Sequence, residues 1–309
     1  MSDKPRATKR PDVVMSETGG RFSLTCRPFF LSVLLACSYP LFAVAELDDI
    51  PHIPHVVEKA EVSFEFDYLY AAPHRAFAIA PGGTWAWQAG KQTTDSAKKT
   101  ALEKCQQDTR QKCVLFAVDE DIVFNEKAWS ELWGPYLKYE QAQKKIVGTD
   151  PGQKFPDLKF TDPKGLNKTL SSLRGKVVFV HFWGCWCPSC RYEIVSLIDL
   201  YRMLKETMGD QIEFVVLQVR EPISQARKWA KENNVVALPL SDSGIKSSSD
   251  TTFMLKDGGT IDDSELATVF PASYVVDKHG VVVFSHMGSV HDWSEYVPFF
   301  RDVANRSGK

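Results

Sequence analysis

Val177-Val178-Phe179-Val180-His181-Phe182-Trp183-Gly184-Cys185-Trp186-Cys187-Pro188-Ser189-Cys190 is the stretch that decides the fold of this chain. Its first seven residues form a nearly unbroken apolar run of strand length, which suits the centre of a sheet buried on both faces. Ile194, Leu197, Leu200 and Leu204 then recur at helical spacing, so the strand passes into a helix at about Pro188. Proline fits the first helical position, where no amide hydrogen is needed. Working outward, residues 212–219 read as a second strand and 223–233 as a helix. Ser273–Val276 and Val281–Phe284 form a hairpin across Asp277-Lys278-His279-Gly280, and a last helix starts near Asp292. Strand, helix, strand, helix, hairpin, helix is a compact α/β domain over residues 153–306.

Two thiols separated by two residues at a helix start can close a small disulfide and reopen it. The helix N-terminus favours thiolate at the first of them by about 0.3–1 kcal/mol, and up to ~2 when partly buried. Since 1.36 kcal/mol is a factor of ten, that supplies about a tenfold gain in thiolate. Cys187 is therefore expected to be the exposed, attacking sulfur and Cys190 the shielded, resolving one. A C-x-x-C also occurs as half of a zinc site, but no second such pair exists in the chain, so no resident metal or cofactor is expected. Cys185 stays open between a small neutral residue, a copper or zinc ligand acting with the pair, and a regulatory thiol.

Residues 152–306 resemble the TlpA/ResA-type thioredoxin-like family of exported thiol–disulfide oxidoreductases. The resemblance is carried by Gly152 and Phe155-Pro156-Asp157, by Leu173-Arg174-Gly175-Lys176, and by Phe182-Trp183 with Trp186-Cys187-Pro188-Ser189-Cys190. Phe270-Pro271-Ala272-Ser273-Tyr274-Val275-Val276-Asp277 resembles the family's cis-proline segment. The resemblance implies a thioredoxin-like fold, a central mixed sheet flanked by helices. It also implies a cis Pro271 facing the sulfurs, with Phe270 offering backbone to a substrate strand and Trp186 and Pro188 lining the same surface. Glu193, in the family's Cys-x-x-Glu position, would tune thiol protonation; a solvated helix glutamate is the alternative. Three features depart from the family pattern. His181 stands where relatives carry aspartate or asparagine, and reads either as a proton relay for Cys190 or as a satisfied core imidazole. Cys185 replaces Ala, Ser or Thr. The stretch from Ser241 to Leu266 is longer than usual and precedes Pro271, so it reads either as shaping substrate access or as a tolerated surface loop.

The first half of the chain carries no such cluster. Arg21 and Arg27, an apolar run from Pro28, and Ala43-Val44-Ala45 follow the order of a secretory signal, so residues 1–45 read as an address. Cleavage after Ala45, lipidation at Cys37 and retention as a membrane anchor compete, and all three export the body of the protein. Residues 46–147 read as a small α+β domain and 148–309 as the redox domain, with Lys144 to Lys154 as linker. In the first domain, strands at 76–80 and 85–87 precede a helix capped at about Asp95, followed by a strand from Cys113. A Cys105–Cys113 disulfide would pin that helix to that strand. Trp129, Leu132, Trp133, Tyr136 and Leu137 fall on one helical face, which Gly134-Pro135 interrupts with a kink or a break into two short helices. The segment loosely resembles small secreted modules of the DUF4189 type, which implies no activity.

Composition narrows the function classes. The 309 residues carry 37 Lys plus Arg against 39 Asp plus Glu, a formal −2, which argues against a nucleic-acid partner. The expectation is an exported reductase of client cysteine pairs, recharged by a membrane electron-donor thiol protein, with cytochrome c maturation as one implied setting. Its rivals are a disulfide-forming oxidant and a copper-binding carrier using Cys185, Cys187 and Cys190.

Overall fold

The computed structural model describes residues 58–307 together with residues 53, 54 and 56. Residues 1–45, read from the sequence as an export address, lie outside the described residues. No helix among the described residues is long and apolar enough to cross a membrane.

The first half begins with α1 (Glu58–Ser63), which runs into a π-helical turn, Phe64–Tyr68. There follow β1 (Ala76–Ile79), β2 (Trp85–Gln88), α2 (Thr94–Gln107), β3 (Val114–Val118) and β4 (Asp121–Ile122). The strands form an antiparallel sheet in the order β2-β1-β3-β4. β1 is buried on both faces, and its alternation sorts the two. Phe77 and Ile79 pack with Phe64, Tyr68 and Phe116, while Ala76, Ala78 and Ala80 meet Ala97, Ala101 and Cys105 of α2. Small residues on both sides let helix and sheet approach closely. α2 is capped by Thr93, whose side chain accepts from the Ser96 amide at 3.2 Å; Asp95 sits inside the first turn instead of at the cap. Cys105, in the last turn of α2, is bonded to Cys113 at the entry to β3.

The aromatic stretch after this sheet is not one helix. α3 (Glu126–Trp129) and a 3-10 turn, Ser130–Leu132, end at an extended Trp133; the Gly134–Pro135 bond is cis, and α4 (Tyr139–Gln143) follows. The glycine at φ +114° and the proline outweigh the helical spacing of the aromatic residues.

The second half holds β5 (Lys159–Thr161), β6 (Asn167–Thr169), β7 (Val177–Trp183), α5 (Pro188–Met208), β8 (Ile212–Gln218), α6 (Ile223–Glu232) and β9 (Leu240–Ser241). β10 (Thr252–Met254), β11 (Thr260–Asp262), α7 (Asp263–Leu266), β12 (Ala272–Val276), β13 (Val282–Met287), a 3-10 turn at Trp293–Tyr296 and α8 (Val297–Arg306) complete it. The central sheet runs β13-β12-β7-β8-β9. β7 is parallel to β8 and antiparallel to β12, a thioredoxin-like mixed sheet with the quoted strand in the middle. Period-two alternation divides its core. Val177, Phe179, Phe214 and Val216 face α5, α6 and α8, whereas Val178, Val180, Phe182 and Tyr274 face the other layer. The stretch from Ser241 to Leu266 is a built insertion, with the β10–β11 hairpin and α7, and Phe253 is fully buried in it.

The segment from Lys144 to Lys154 is no free linker. The Gly152 amide donates to Val282 O at 2.8 Å and the Val282 amide to Gln153 O at 2.9 Å, which ties it to the outer edge of β13. The described residues form one compact unit. The two sheets meet within it where the Gly82 amide donates to the Tyr296 hydroxyl, Gln111 Nε2 donates to Ser285 O at 3.1 Å, and Trp133 stacks edge-on against Phe299. At Gly82 (φ +95°) a Cβ would lie 2.3 Å from His286 Nδ1, so only glycine permits this approach.

Candidate active site

β7 delivers Trp183 to the sheet's C-terminal edge, and the chain turns sharply there into α5. Gly184 makes the turn possible, because a Cβ would lie 2.2 Å from the Trp186 indole nitrogen. Three hydrogen bonds join this turn to the end of β8. The Val219 amide donates to Trp183 O at 2.8 Å, Trp186 Nε1 donates to Val219 O at 2.9 Å, and the Cys185 amide donates to Glu221 Oε1 at 2.8 Å.

Cys187 is the N-cap of α5, with Pro188 at the first helical position. Its sulfur accepts from the Cys190 amide at 3.2 Å, so a free helix-end donor points at it. Cys187 and Cys190 are bonded to each other. Both sulfurs are covered: Cys187 is 3% exposed and Cys190 0%. The expected exposed Cys187 is therefore not found in this disulfide form. Phe270 O lies 3.5 Å from Cys187 Sγ and 3.5 Å from Ser189 Oγ, so the segment before Pro271 covers the sulfur. The Phe270–Pro271 bond is cis. Trp186 is 44% exposed and meets Phe270 edge-on at 6.2 Å, with Pro188 exposed beside the sulfurs. The surface around the covered sulfurs is thus aromatic and backbone in character.

Below Cys190, one turn along the same helix face, lies Glu193. It is buried, not solvated. Its Oε1 accepts from the Val290 amide at 2.9 Å and from Trp293 Nε1 at 2.6 Å, while Oε2 has no hydrogen-bond partner. Burial outweighs those two donors and pushes its carboxyl up to about 8. His181, fully buried on β7, bonds Ser273 Oγ through Nδ1 at 2.9 Å; burial pushes it down to about 3. Its Nε2 lacks a partner and stands 3.9 Å from Glu193 Oε2. At neutral pH the carboxyl is largely protonated and the imidazole neutral, so the two form no ion pair. They are two orphaned polar atoms facing each other in the core, one helical turn along from Cys190.

Four residues of this region escape sequence reading. Glu221 faces Cys185, Ser273 orients His181, and Trp293 holds Glu193 from 100 positions away. Arg220 (φ +54°) makes a two-pronged ion pair with buried Asp263 at 2.7 and 2.9 Å, and its guanidinium lies 5.5 Å from the Phe270 ring centre. The insertion before Pro271 is thereby fastened to the segment that covers Cys187. Only the loop after β8, which carries Arg220 and Glu221 beside an acidic insertion, offered a sequence signal for any of these.

Comparisons with known proteins agree with the geometry. The Redoxin family model matches residues 150–297. The chain is 27% identical over 159 residues to the thioredoxin-like protein YneN of Bacillus subtilis, covering 51% of this chain and 82% of that protein. To the thiol-disulfide oxidoreductase ResA of Geobacillus kaustophilus it is 38% identical over 80 residues, 26% of this chain and 44% of ResA. To ResA of Bacillus cereus it is 29% identical over 137 residues, 44% of this chain and 69% of that protein. Residues 150–297 are therefore a Redoxin domain of thioredoxin-like fold, similar to the thiol–disulfide oxidoreductases of the ResA type, and thiol–disulfide oxidoreductase activity is what that similarity supports.

Proposed function

We propose that the chain is an exported reductase of disulfides in client proteins, working through Cys187 and Cys190. The observation that carries this reading is the Cys187 sulfur at a helix N-terminus, covered by the backbone of the Phe270–Pro271 segment. Reduced Cys187, as thiolate, attacks one sulfur of a client disulfide and releases the other as the first client thiol once a proton is added. Cys190 then loses its proton and attacks Cys187, which frees the second client thiol and leaves the Cys187–Cys190 disulfide. Two electrons and two protons pass to the client. Phe270 would pair with the client backbone, a strand-addition mode, with Trp186 and Pro188 flanking the scissile sulfur. In this reading Glu193, one turn along α5 from Cys190, and His181, 3.9 Å from Glu193, handle the proton of Cys190.

An exported setting oxidises thiols, so a membrane donor thiol protein must recharge the pair. Residues 1–45 supply the export signal or tether, residues 46–147 form the accessory α+β domain, and cytochrome c maturation is one setting that fits a ResA-type enzyme. The Cys105–Cys113 bond serves structure alone. The copper-carrier alternative needs Cys185 to join the pair, whereas its sulfur is turned onto Glu221. The reduction potential of Cys187–Cys190 against a glutathione or dithiothreitol series tests the direction. A value far below that of the oxidising compartment supports the reductase; a strongly oxidising value assigns disulfide formation instead.

A further inference from the structure

Cys185 is the one free cysteine among the described residues, two positions before an exchangeable disulfide. Such a thiol is a hazard. As thiolate it would attack Cys187 Sγ, form a Cys185–Cys187 bond and expel Cys190 as thiolate. The count of thiols and disulfides would be unchanged, but the exchange centre would be disabled.

The fold answers this with one side chain. Glu221 is 1% exposed, on the loop between β8 and α6. Its two oxygens grip a single residue: Oε1 accepts the Cys185 amide at 2.8 Å, and Oε2 accepts the Cys185 thiol at 2.7 Å. Gln225, one helical turn on, donates to Oε2 at 3.3 Å and lies 3.6 Å from the sulfur, so the carboxylate is held from behind. We propose that Glu221 is a positioning residue that keeps Cys185 protonated and turned away from the Cys187–Cys190 bond, so that a third thiol can sit in the active-site turn without joining the exchange. The electrostatics agree with the geometry: burial first, then the bond to Glu221, pushes the Cys185 thiol up to about 11, against the smaller opposing pulls of the Gln225 amide and the Arg191 charge. A thiolate in this position would face a carboxylate oxygen, a like-charge contact. The same carboxylate also serves the turn itself, because its amide bond is one of the three that join residues 183–186 to 219–221.

This inference rests on the reading of Cys187–Cys190 as the exchange pair, and its test is independent of any client. The oxidised full-length protein is treated with iodoacetamide from pH 7 to 11, and alkylation is followed by mass spectrometry on the peptide bearing Cys185, which excludes Cys26 and Cys37. In the wild type the midpoint should lie above pH 10. Glu221→Gln keeps the shape and turns an amide donor toward the sulfur, so Cys185 should alkylate at least about tenfold faster at pH 8. On standing without alkylator, that variant should accumulate a Cys185–Cys187 linkage and lose exchange activity. Cys185→Ser in the same background should restore the activity. A wild-type midpoint below pH 9 overturns the proposal even if the variant does not fold. A folded Glu221→Gln protein whose Cys185 rate stays within twofold of wild type does the same. Were Cys187→Ser to retain client exchange, the functional reading would fail while the alkylation result stood.

Discussion

Two cysteine pairs in this molecule share a bond type and little else. Cys105–Cys113 sits between α2 and the start of β3, walled by Ala76, Ala78, Ala97 and Ala101. Cys187–Cys190 sits at a helix N-terminus under a cis-proline segment, with a raised glutamic acid and a neutral histidine in the core beneath. The first pair is packed among small apolar side chains; the second has a helix-end amide donating to its first sulfur and a buried carboxyl one turn along the same helix. A disulfide therefore becomes a staple or a reagent through its neighbours, not through its own geometry.

The sharpest way to break that contrast is to remove one sulfur from each pair. Cys187→Ser should reduce disulfide exchange with a model client, such as insulin, to the uncatalysed background. Cys190→Ser should retain the attack and accumulate a mixed disulfide on Cys187, visible by mass spectrometry of acid-quenched samples. The matched double replacement, Cys105→Ser with Cys113→Ser, should leave the exchange rate within about twofold while lowering stability by about 2–3 kcal/mol, read from urea unfolding. If the double replacement removed exchange as well, the division into staple and reagent would be wrong.

The buried acid sharpens the contrast by its pH signature. Glu193 is raised from its ordinary 4.5 to about 8, so the folded protein holds a proton that the unfolded chain has released. Its contribution is full below about pH 4.5 and is lost as pH rises toward 8. His181 and His286 are lowered from 6.5 to about 3 and about 4. Unfolding lets them take up protons, so their contribution is present above pH 6.5 and is lost as pH falls. These three groups together place a stability maximum near pH 6.5, with Glu193 alone giving a fall of about 1 kcal/mol per pH unit from there to 8. Unfolding midpoints of wild type and Glu193→Gln across pH 5–9 check this: the fall above 6.5 should vanish in the variant. A fall that persists would assign it to another group.

The smallest effect belongs to the contact between the two sheets. Tyr296→Phe keeps the ring against Phe284 and Trp293 and removes the hydroxyl that accepts from Gly82. It should cost about 1 kcal/mol and leave the exchange rate unchanged.

Much of the second half was legible because local pattern and tertiary role agree there. The apolar run of β7, the helical spacing of α5 and the thiols at their junction each point to one arrangement. Pro271 was reached by resemblance, and its cis bond beside Cys187 is seen in the structure. What stayed hidden depends on partners distant in sequence. Glu193 reads equally well as a solvated helix residue until Trp293 and Val290 close over it. Glu221 is marked only by its place in the charged loop after β8; the return of that strand beside the Cys185 turn is what gives it a thiol to hold. In the first half, the aromatic stretch after residue 128 kept a helical period that the cis Gly134–Pro135 bond breaks, so periodicity there reflects which side chains are buried, not which backbone they ride on.

Gly82 carries one more consequence. A backbone that can approach His286 only because it lacks a side chain makes the surface of one sheet part of the other's interior, with Tyr296 as the shared wall. Neither sheet can then melt by itself without stranding aromatic rings of its neighbour in water. Amide hydrogen exchange should report this as one shared opening event, with the slowest amides of β1 and β13 exchanging at the same rate and shifting together as denaturant is added. The redox half is thus bound to its leading segment in the energetics of opening, and truncation before residue 148 would cost cooperativity before it cost chemistry.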